Sequence, residues 1–437
     1  MIPGVLILKL TYGRREKDGK LLYKCISKAG SILLAYDIPY AFSKVFQNLY
    51  VVYTAEPGAT IGQVIQIIGP VDILSHFYEY QLYCKGLFVS NAKINKIKQE
   101  PITIPKSREN IEVFTIDPEG CLDFDDAFSA RYDEGTATAF ISIHIANVAV
   151  ILDQLKAWPN LTDRVATLYM PDKKHSMLPT WLSEGVCSLK QGEDKVVFSL
   201  HLEIQNEMIT KFSFTSGTVH ISRNYVYEEP ELFANKSYQI LAKVSGETDS
   251  HKVVEYFMTK MNFIASQNIG DGIFRRTSRM FADVVVGEYC GGAPGVHEGL
   301  GLASYLHITS PIRRLVDLLN MIKMNESILS ADALAFYERW RGRLPYINEM
   351  TRAGKKVQND CSLLHLCLTD ESVLEKTYSG TIVDKIGEKM LVYISEIKFT
   401  NTIKREDLKI GDEIRVKLFV FEKENSFKKK IRLILII

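Results

Sequence analysis

The chain has 437 residues, 46% of them hydrophobic, and its 53 basic and 52 acidic residues leave a net charge of +1. That much apolar material excludes a disordered chain and allows two to four packed domains. Near-neutrality excludes the broad basic surface of a protein that wraps duplex DNA, so any phosphate-binding charge has to be local.

From Ile2 to about Leu87 the runs GVLILKL, YKCISKA, SILLAYDI, NLYVVYTA and TIGQVIQIIG are punctuated by DG, PG and GP turns, which predicts a small β-barrel. The first run is too short to cross a bilayer and no basic segment precedes it, so a soluble, cytoplasmic protein is expected. Next comes FTIDPEGCLDFDDAFSA, Phe114 to Ala130, in which Asp117, Asp123, Asp125 and Asp126 crowd into ten residues. Two carboxylates about 4 Å apart repel by roughly 4 kcal/mol at an effective dielectric of 20, so a cation is expected among them. Pro118, Glu119 and Gly120 supply a turn. Beyond it Asp123 and Asp125 alternate with Leu122 and Phe124, which predicts a strand carrying both acids on one face. Hard oxygens with no Cys or His pattern suit Mg²⁺, or Mn²⁺ as the other cation of that kind. A solvated acidic loop is the alternative, and the interleaved Ile116, Leu122, Phe124, Ala127 and Phe128 argue against it.

Helical periodicity follows in HKVVEYFMTKMNFIASQNIG and later in ADALAFYERWRGRL. Between them lies TSPIRRLVDLLNMIKM, where Ser310 can cap a helix and Pro311 can take its first position. Arg313 and Arg314 then fall in the first turn, where the helix dipole disfavours cations unless an anion binds; pairing with local acids such as Asp317 is the alternative. Thr377 to Ile437 holds five strand-like runs with glycine turns, a second small barrel. Basic clusters at Lys93 to Lys98, Arg339 to Arg343, Arg352 to Lys356 and Lys428 to Arg432 read singly as solvated faces and together as a channel for one strand. Seven cysteines without a CxxC pair support neither a disulfide framework nor a zinc site.

The acidic segment resembles the catalytic motif of the ribonuclease II (RNB) family, in which an aspartate is followed at six, eight and nine positions by three more. The likeness continues in order through HIANV (144–148), LYMPDKKHSMLPTWLSEGVCSL (168–189) and HEGLGLASYLHITSPIRR (297–314). The resemblance implies an α+β catalytic RNB domain, residues 91–370, flanked by OB-type barrels: a reduced cold-shock-like one at 1–90 and an RNA-binding one at 371–437. It implies a Mg²⁺-dependent hydrolytic exoribonuclease, degrading single-stranded RNA from its 3′ end and releasing nucleoside 5′-monophosphates by a two-metal mechanism. Asp117, Asp123, Asp125 and Asp126 would hold the metal, with Asp125 and Arg313 catalytic and Arg313 against the scissile phosphate. Tyr169 would stack on a terminal base, and His144, Tyr305, His307, Ser310 and Arg314 would line the RNA path, with His297 a further wall. A monomer with no membrane partner is expected.

Three departures stand out. Asn147 replaces an acid in HIANV, Leu315 replaces a tyrosine after the arginines, and a glutamate of bacterial members is absent near Gly354 and Lys355. They keep two other readings open: a catalytically weak or inactive RNA-binding protein on this scaffold, and a metal-dependent nuclease that also acts on DNA.

Overall fold

The computed structural model describes every residue except 30–31, 42–45, 57, 91, 105–110, 282–283, 406, 424–425 and 437. All five N-terminal runs are strands: β1 (Ile2–Arg14), β2 (Leu21–Ala29), β3 (Ile32–Tyr40), β4 (Leu49–Thr54) and β5 (Gln63–Pro70), in the sheet order β3-β2-β1-β4-β5. The edges are drawn together where the Asp37 N–H donates to Thr60 O (2.9 Å) and the Gly62 N–H to Asp37 O (3.0 Å). A Cβ at residue 62 would come within 2.9 Å of Thr54 O, so only glycine tolerates this closure. Helix α1 (Leu74–Cys84) covers the sheet with Phe77, Tyr80 and Leu82 buried, the Tyr80 ring stacking on Tyr50 at 4.3 Å.

The central part is built on a closed barrel. Its strands are β6 (Val113–Asp117), β7 (Asp126–Asp133), β8 (Thr138–Ala146) and, after α2 (Val148–Gln154) and the short pair β9 (Leu168–Tyr169) and β10 (Lys174–His175), β11 (Asp194–Gln205) and β12 (Met208–Val226). Neighbours run antiparallel except β12 and β6, which pair in parallel from Ile221 opposite Val113 to Val226 opposite Asp117. That pairing sets the end of β12 beside the first aspartate. Helices α3 (Pro230–Ala234), α4 (Lys236–Ser245) and α5 (Ser250–Asn268) follow, then the hairpin β13 (Ile273–Phe281) and β14 (Val284–Gly291), α6 (Leu315–Met324) and α7 (Ala331–Arg341). Asp249 caps α5 by accepting from the His251 and Lys252 N–H groups, and α5 buries Phe257 against Phe128 of the barrel, ring centroids 6.0 Å apart. Barrel and helices share one core, with Phe114, Phe128, Ile143, Leu200, Phe257, Leu319 and Trp340 fully enclosed.

Helix α8 (Leu344–Thr369) and α9 (Ser372–Glu375) lead into β15 (Thr377–Ile386), β16 (Lys389–Ile394), β17 (Phe399–Ile403), β18 (Glu413–Lys423) and β19 (Ser426–Ile436), in the order β17-β16-β15-β18-β19. Here the Asn401 amide donates to Ile431 O at 2.6 Å, joining the outer strands. Mixed helix and sheet around a barrel, flanked by two five-stranded sheets, is the α+β architecture expected. By compactness the chain forms two units, residues 1–88, 169–174 and 352–437 in the first and 89–168 and 175–351 in the second. No described helix is long and apolar enough to cross a membrane.

Two local expectations are corrected. Residues 121–125 are not a strand: β7 begins at Asp126, and the preceding acids lie in an irregular loop after a turn in which Gly120 takes φ 76°. The helix expected from Pro311 begins only at Leu315, because residues 311–313 form a turn and Arg314 is extended, φ −132° and ψ 125°.

Candidate active site

The acidic loop is held by Ser188. Its hydroxyl accepts from the Phe124 N–H (3.0 Å) and donates to Leu122 O (2.8 Å), while the Leu189 N–H donates to Phe124 O (3.0 Å). This clamp takes the place of the expected strand pairing and fixes where Asp123 and Asp125 leave the backbone. Asp125 is buried, at 2% exposure; its Oδ1 accepts from the Ile312 N–H (2.9 Å) and its Oδ2 from Arg313 Nε (3.1 Å). The Arg313 Nη2 group also donates to Ser310 Oγ at 3.0 Å, and its backbone is pinned because the Thr167 N–H donates to Arg313 O and the Leu315 N–H to Val165 O, both 2.9 Å. An extended segment rather than a helical turn thus presents Arg313, whose side chain is 44% exposed, to the acids.

Asp117 ends β6 and Asp126 opens β7, so barrel closure sets them side by side. Both carboxyls are pushed up from the ordinary range, chiefly by burial and also by neighbouring carboxylates, Asp125 for Asp117 and Asp117 for Asp126. Burial likewise raises Asp125 to about 7 against the opposing pull of Arg313. Asp117 Oδ2 is buried with no hydrogen-bond partner, and the Cys121 thiol lies 3.8 Å from Oδ1. Repelling acids with an unsatisfied buried oxygen are the donor set a hard cation would relieve. The expected ligand quartet does not converge, however: among the described residues no three His, Cys, Asp or Glu side chains are grouped to hold a metal. Asp125 is turned instead onto Arg313 and Ile312, while Asp126 keeps the repulsion of Asp117.

The remaining expected residues separate. Arg314 pairs with the fully buried Asp317 at 2.7 Å, and Asp317 Oδ1 also accepts from the Ser310 N–H at 2.8 Å, so the local-acid alternative holds for this arginine. Ser310 is buried as the acceptor for Arg313. Tyr305 is buried with its hydroxyl accepting from Asn262 Nδ2 (3.0 Å), and the half-buried His307 bonds the Tyr289 hydroxyl through Nδ1 (2.8 Å). His144 is corrected to a barrel residue: it is buried between Ser129 Oγ (3.1 Å) and Ser199 Oγ (2.8 Å), and burial pushes its pKa down to about 3, which removes it from any exposed RNA path. Tyr169 lies in the first unit, 45% exposed, its backbone N–H donating to Gln358 Oε1 at 2.5 Å. Asn147 is a structural residue. It caps α2 by accepting from the Val150 N–H, and its amide donates to Asn325 Oδ1 (3.2 Å) and Ser216 Oγ (3.3 Å). Among the basic clusters, Arg343 pairs with Asp163 and Lys356 with Asp360; the side chains of Lys428 to Lys430 lie outside the described residues.

One neighbour carried no local signal. The Tyr227 N–H donates to Asp117 O (3.1 Å) and its ring stacks on His251 at 3.7 Å, with Asp126 and Asp117 adding to the burial that raises its hydroxyl pKa. It is 110 residues from Asp117 in sequence and reaches it only through the parallel pairing of β12 with β6.

Residues 106–240, which span the barrel and all four aspartates, match the family described as the RNB domain. That segment of the chain is similar to the RNB domain. A stretch of 163 residues is 31% identical to the human exosome complex exonuclease RRP44, covering 34% of this chain and 16% of that protein. A stretch of 184 residues is 26% identical to ribonuclease R of Thermotoga maritima, covering 39% of this chain and 26% of that protein. The matched segments are thus about a quarter or less of those relatives' length. Among solved structures, RNase R of Mycoplasma genitalium in complex with double-stranded RNA superimposes with TM-score 0.69 at 16% identity, over 100% of this chain and 96% of that one. Yeast Ssd1, a pseudonuclease, gives 0.65 at 12% identity, over 95% and 66%. At such identities the structural likeness shows the RNB fold with its flanking barrels and nothing finer.

Proposed function

We propose that this RNB protein hydrolyses single-stranded RNA from the 3′ end, releasing nucleoside 5′-monophosphates with Mg²⁺ or Mn²⁺ as cofactor. The observation that carries the proposal is the buried pair Asp117 and Asp126, with an unsatisfied carboxylate oxygen, set next to Asp125 and Arg313. Asp117 and Asp126 would hold the cation, and Asp123 and Asp125 are the further carboxylates of the same loop. When bound, such ions supply an activated water and neutralise the departing oxygen. The chain's own contribution is positional. Ser188 fixes the acidic loop, Ser310 orients the Arg313 guanidinium, and Arg313 neutralises charge that develops on the phosphoryl group. Tyr169 offers a stacking face for a base, worth roughly 1 to 3 kcal/mol and indifferent to sequence. RNA would be chosen over DNA through the 2′-hydroxyl. On this reading residues 1–90 and 371–437 guide RNA to the catalytic part, 91–370.

A second reading, a non-hydrolytic RNA-binding protein, is favoured by one observation: both oxygens of Asp125 already accept hydrogen bonds, from the Ile312 N–H and from Arg313 Nε. A 5′-labelled single-stranded RNA incubated with the protein and Mg²⁺ separates the two. Progressive shortening from the 3′ end supports the nuclease; binding without shortening in Mg²⁺ or Mn²⁺ establishes the second reading. The matching DNA strand run beside it reads sugar preference.

A further inference from the structure

Thr115 and Asp117 lie two residues apart on β6 and share one face of that strand. The parallel register sets Asn224 of β12 opposite Thr115, and there the Asn224 Nδ2 group donates to Thr115 Oγ1 at 2.9 Å. The second Nδ2 hydrogen goes to Leu189 O, also at 2.9 Å. Asn224 Oδ1 accepts from the Gln191 N–H (2.8 Å), and the Asn224 N–H donates to Gln191 Oε1 (3.3 Å). The Gln191 N–H has to meet the amide oxygen and Leu189 O has to meet the amide nitrogen, so the side chain stands only this way round.

That orientation decides where the Thr115 proton goes. Thr115 is fully buried, and an oxygen that accepts from Asn224 still has its own hydrogen to place. The acceptor is the Asp117 carboxyl: burial pushes that group up, and the Thr115 hydroxyl is the largest influence opposing it, ahead of the Cys121 thiol and Arg313. Asp117 Oδ2 is left without a partner. Asn224 is fixed in its turn by the segment that clamps the acidic loop, since Leu189 follows Ser188 and its own N–H donates to Phe124 O. An apolar side chain at residue 224 would leave Leu189 O and the Gln191 N–H unmet and the Thr115 hydroxyl free to turn.

We propose that Asn224 is a positioning residue for the acidic site, acting through Thr115: its amide aims the Thr115 hydroxyl at Asp117 and so sets the direction in which that carboxylate meets a cation. Groups that orient a ligand carboxylate in this way change metal affinity by about 10- to 100-fold. As an aid to cation binding the relay rests on the reading above.

The test titrates Mn²⁺ alone into the full-length protein, without RNA, and follows the free ion by electron paramagnetic resonance. Wild type is compared with Thr115→Val, which keeps the shape and loses the hydroxyl, with Thr115→Ser, which keeps the hydroxyl, with Asn224→Ala, and with Asn224→Ala and Thr115→Val combined. The relay requires Mn²⁺ binding by wild type, a loss of about tenfold in Thr115→Val and in Asn224→Ala, and recovery to within about threefold of wild type in Thr115→Ser. It also requires that Asn224→Ala cost less than about threefold more once Thr115 is Val, because the two residues act in series. Single losses that multiply in the double variant overturn it, since Asn224 then reaches the site by another route. Unchanged affinity in either single variant, or no Mn²⁺ binding by wild type, overturns it as well. If Thr115→Val melts far below wild type, Thr115→Ala takes its place in the cycle, and Asn224→Ala with wild-type affinity still overturns the proposal. RNA cleavage with Mg²⁺ is read separately: Mn²⁺ binding that depends on both residues, without cleavage, leaves the relay standing and removes the nuclease. Cleavage by wild type with affinity unchanged in the variants does the reverse.

Discussion

Replacing Asp125 by Asn should make the protein more stable and inactive at once. Asp125 is 2% exposed and its carboxyl is held at about 7, against roughly 3.9 in an unfolded chain. The folded state therefore binds this proton more tightly, so its contribution to stability is fully present below pH 4 and is lost as pH rises through 7. At 1.36 kcal/mol per tenfold change in proton affinity, the ionised carboxylate costs roughly 4 kcal/mol at pH 8. The value of about 7 already includes the pull of Arg313. An Asn at 125 keeps the acceptor for the Ile312 N–H and gives up one bond to an arginine that is 44% exposed and can turn to water, a loss of about 1 kcal/mol. The net expectation is a gain of about 2 to 3 kcal/mol at pH 8, or roughly 5 to 10 °C in melting temperature for a unit of this size, shrinking to nearly nothing at pH 4.5. Thermal melts of both proteins in chelator across that range measure it, with the RNA gel run alongside. A variant that melts at or below wild type at pH 8 refutes the claim that the carboxylate is held against its own burial.

Mg²⁺ should reverse the same penalty: at a hundredfold excess over its dissociation constant it raises wild-type stability by about 2.7 kcal/mol, and Asp117→Asn should abolish that rise, as melts with and without the ion will read. Ser188→Ala strips the Phe124 N–H of its acceptor at a fully buried position, which should cost about 1 to 3 kcal/mol by denaturant titration and lower cleavage more than RNA binding. Asn147→Asp, which restores the acid usual at that position, should destabilise by roughly 2 to 4 kcal/mol at pH 7, because a carboxylate oxygen would replace the amide donor facing Asn325 Oδ1. Unchanged stability there would show that Asn147 is not a structural donor.

Strand runs, helix periodicity and the crowded aspartates were legible because each is a local pattern: alternating apolar residues bury one face of a strand wherever it packs, and carboxylates close in sequence repel in any fold. Nine of the ten strands of the two flanking sheets lie on runs read from the sequence, and β17 (Phe399–Ile403) falls in a stretch that reads as a loop. The errors fall where a tertiary partner overrides local preference. Ser188 binds the backbone around Phe124, so residues that alternate like a strand form a loop. Val165 and Thr167 pair with the backbone on either side of Arg314, so a Ser-Pro sequence suited to start a helix is held extended until Leu315.

What the sequence determined by itself is local: hard oxygen donors on one short segment, a pair of adjacent arginines after a Ser-Pro pair, and motifs in the order that resembles the RNB family. Which carboxylates face each other, which one Arg313 holds, and why His144 is enclosed while Tyr227 stands at the site were decided only by barrel closure and the parallel pairing of β12 with β6. Those contacts join residues up to 188 positions apart. Burial, and with it proton affinity and the need for a cation, belongs to such contacts because a group's solvent is displaced by whatever packs against it, wherever in the chain that residue lies.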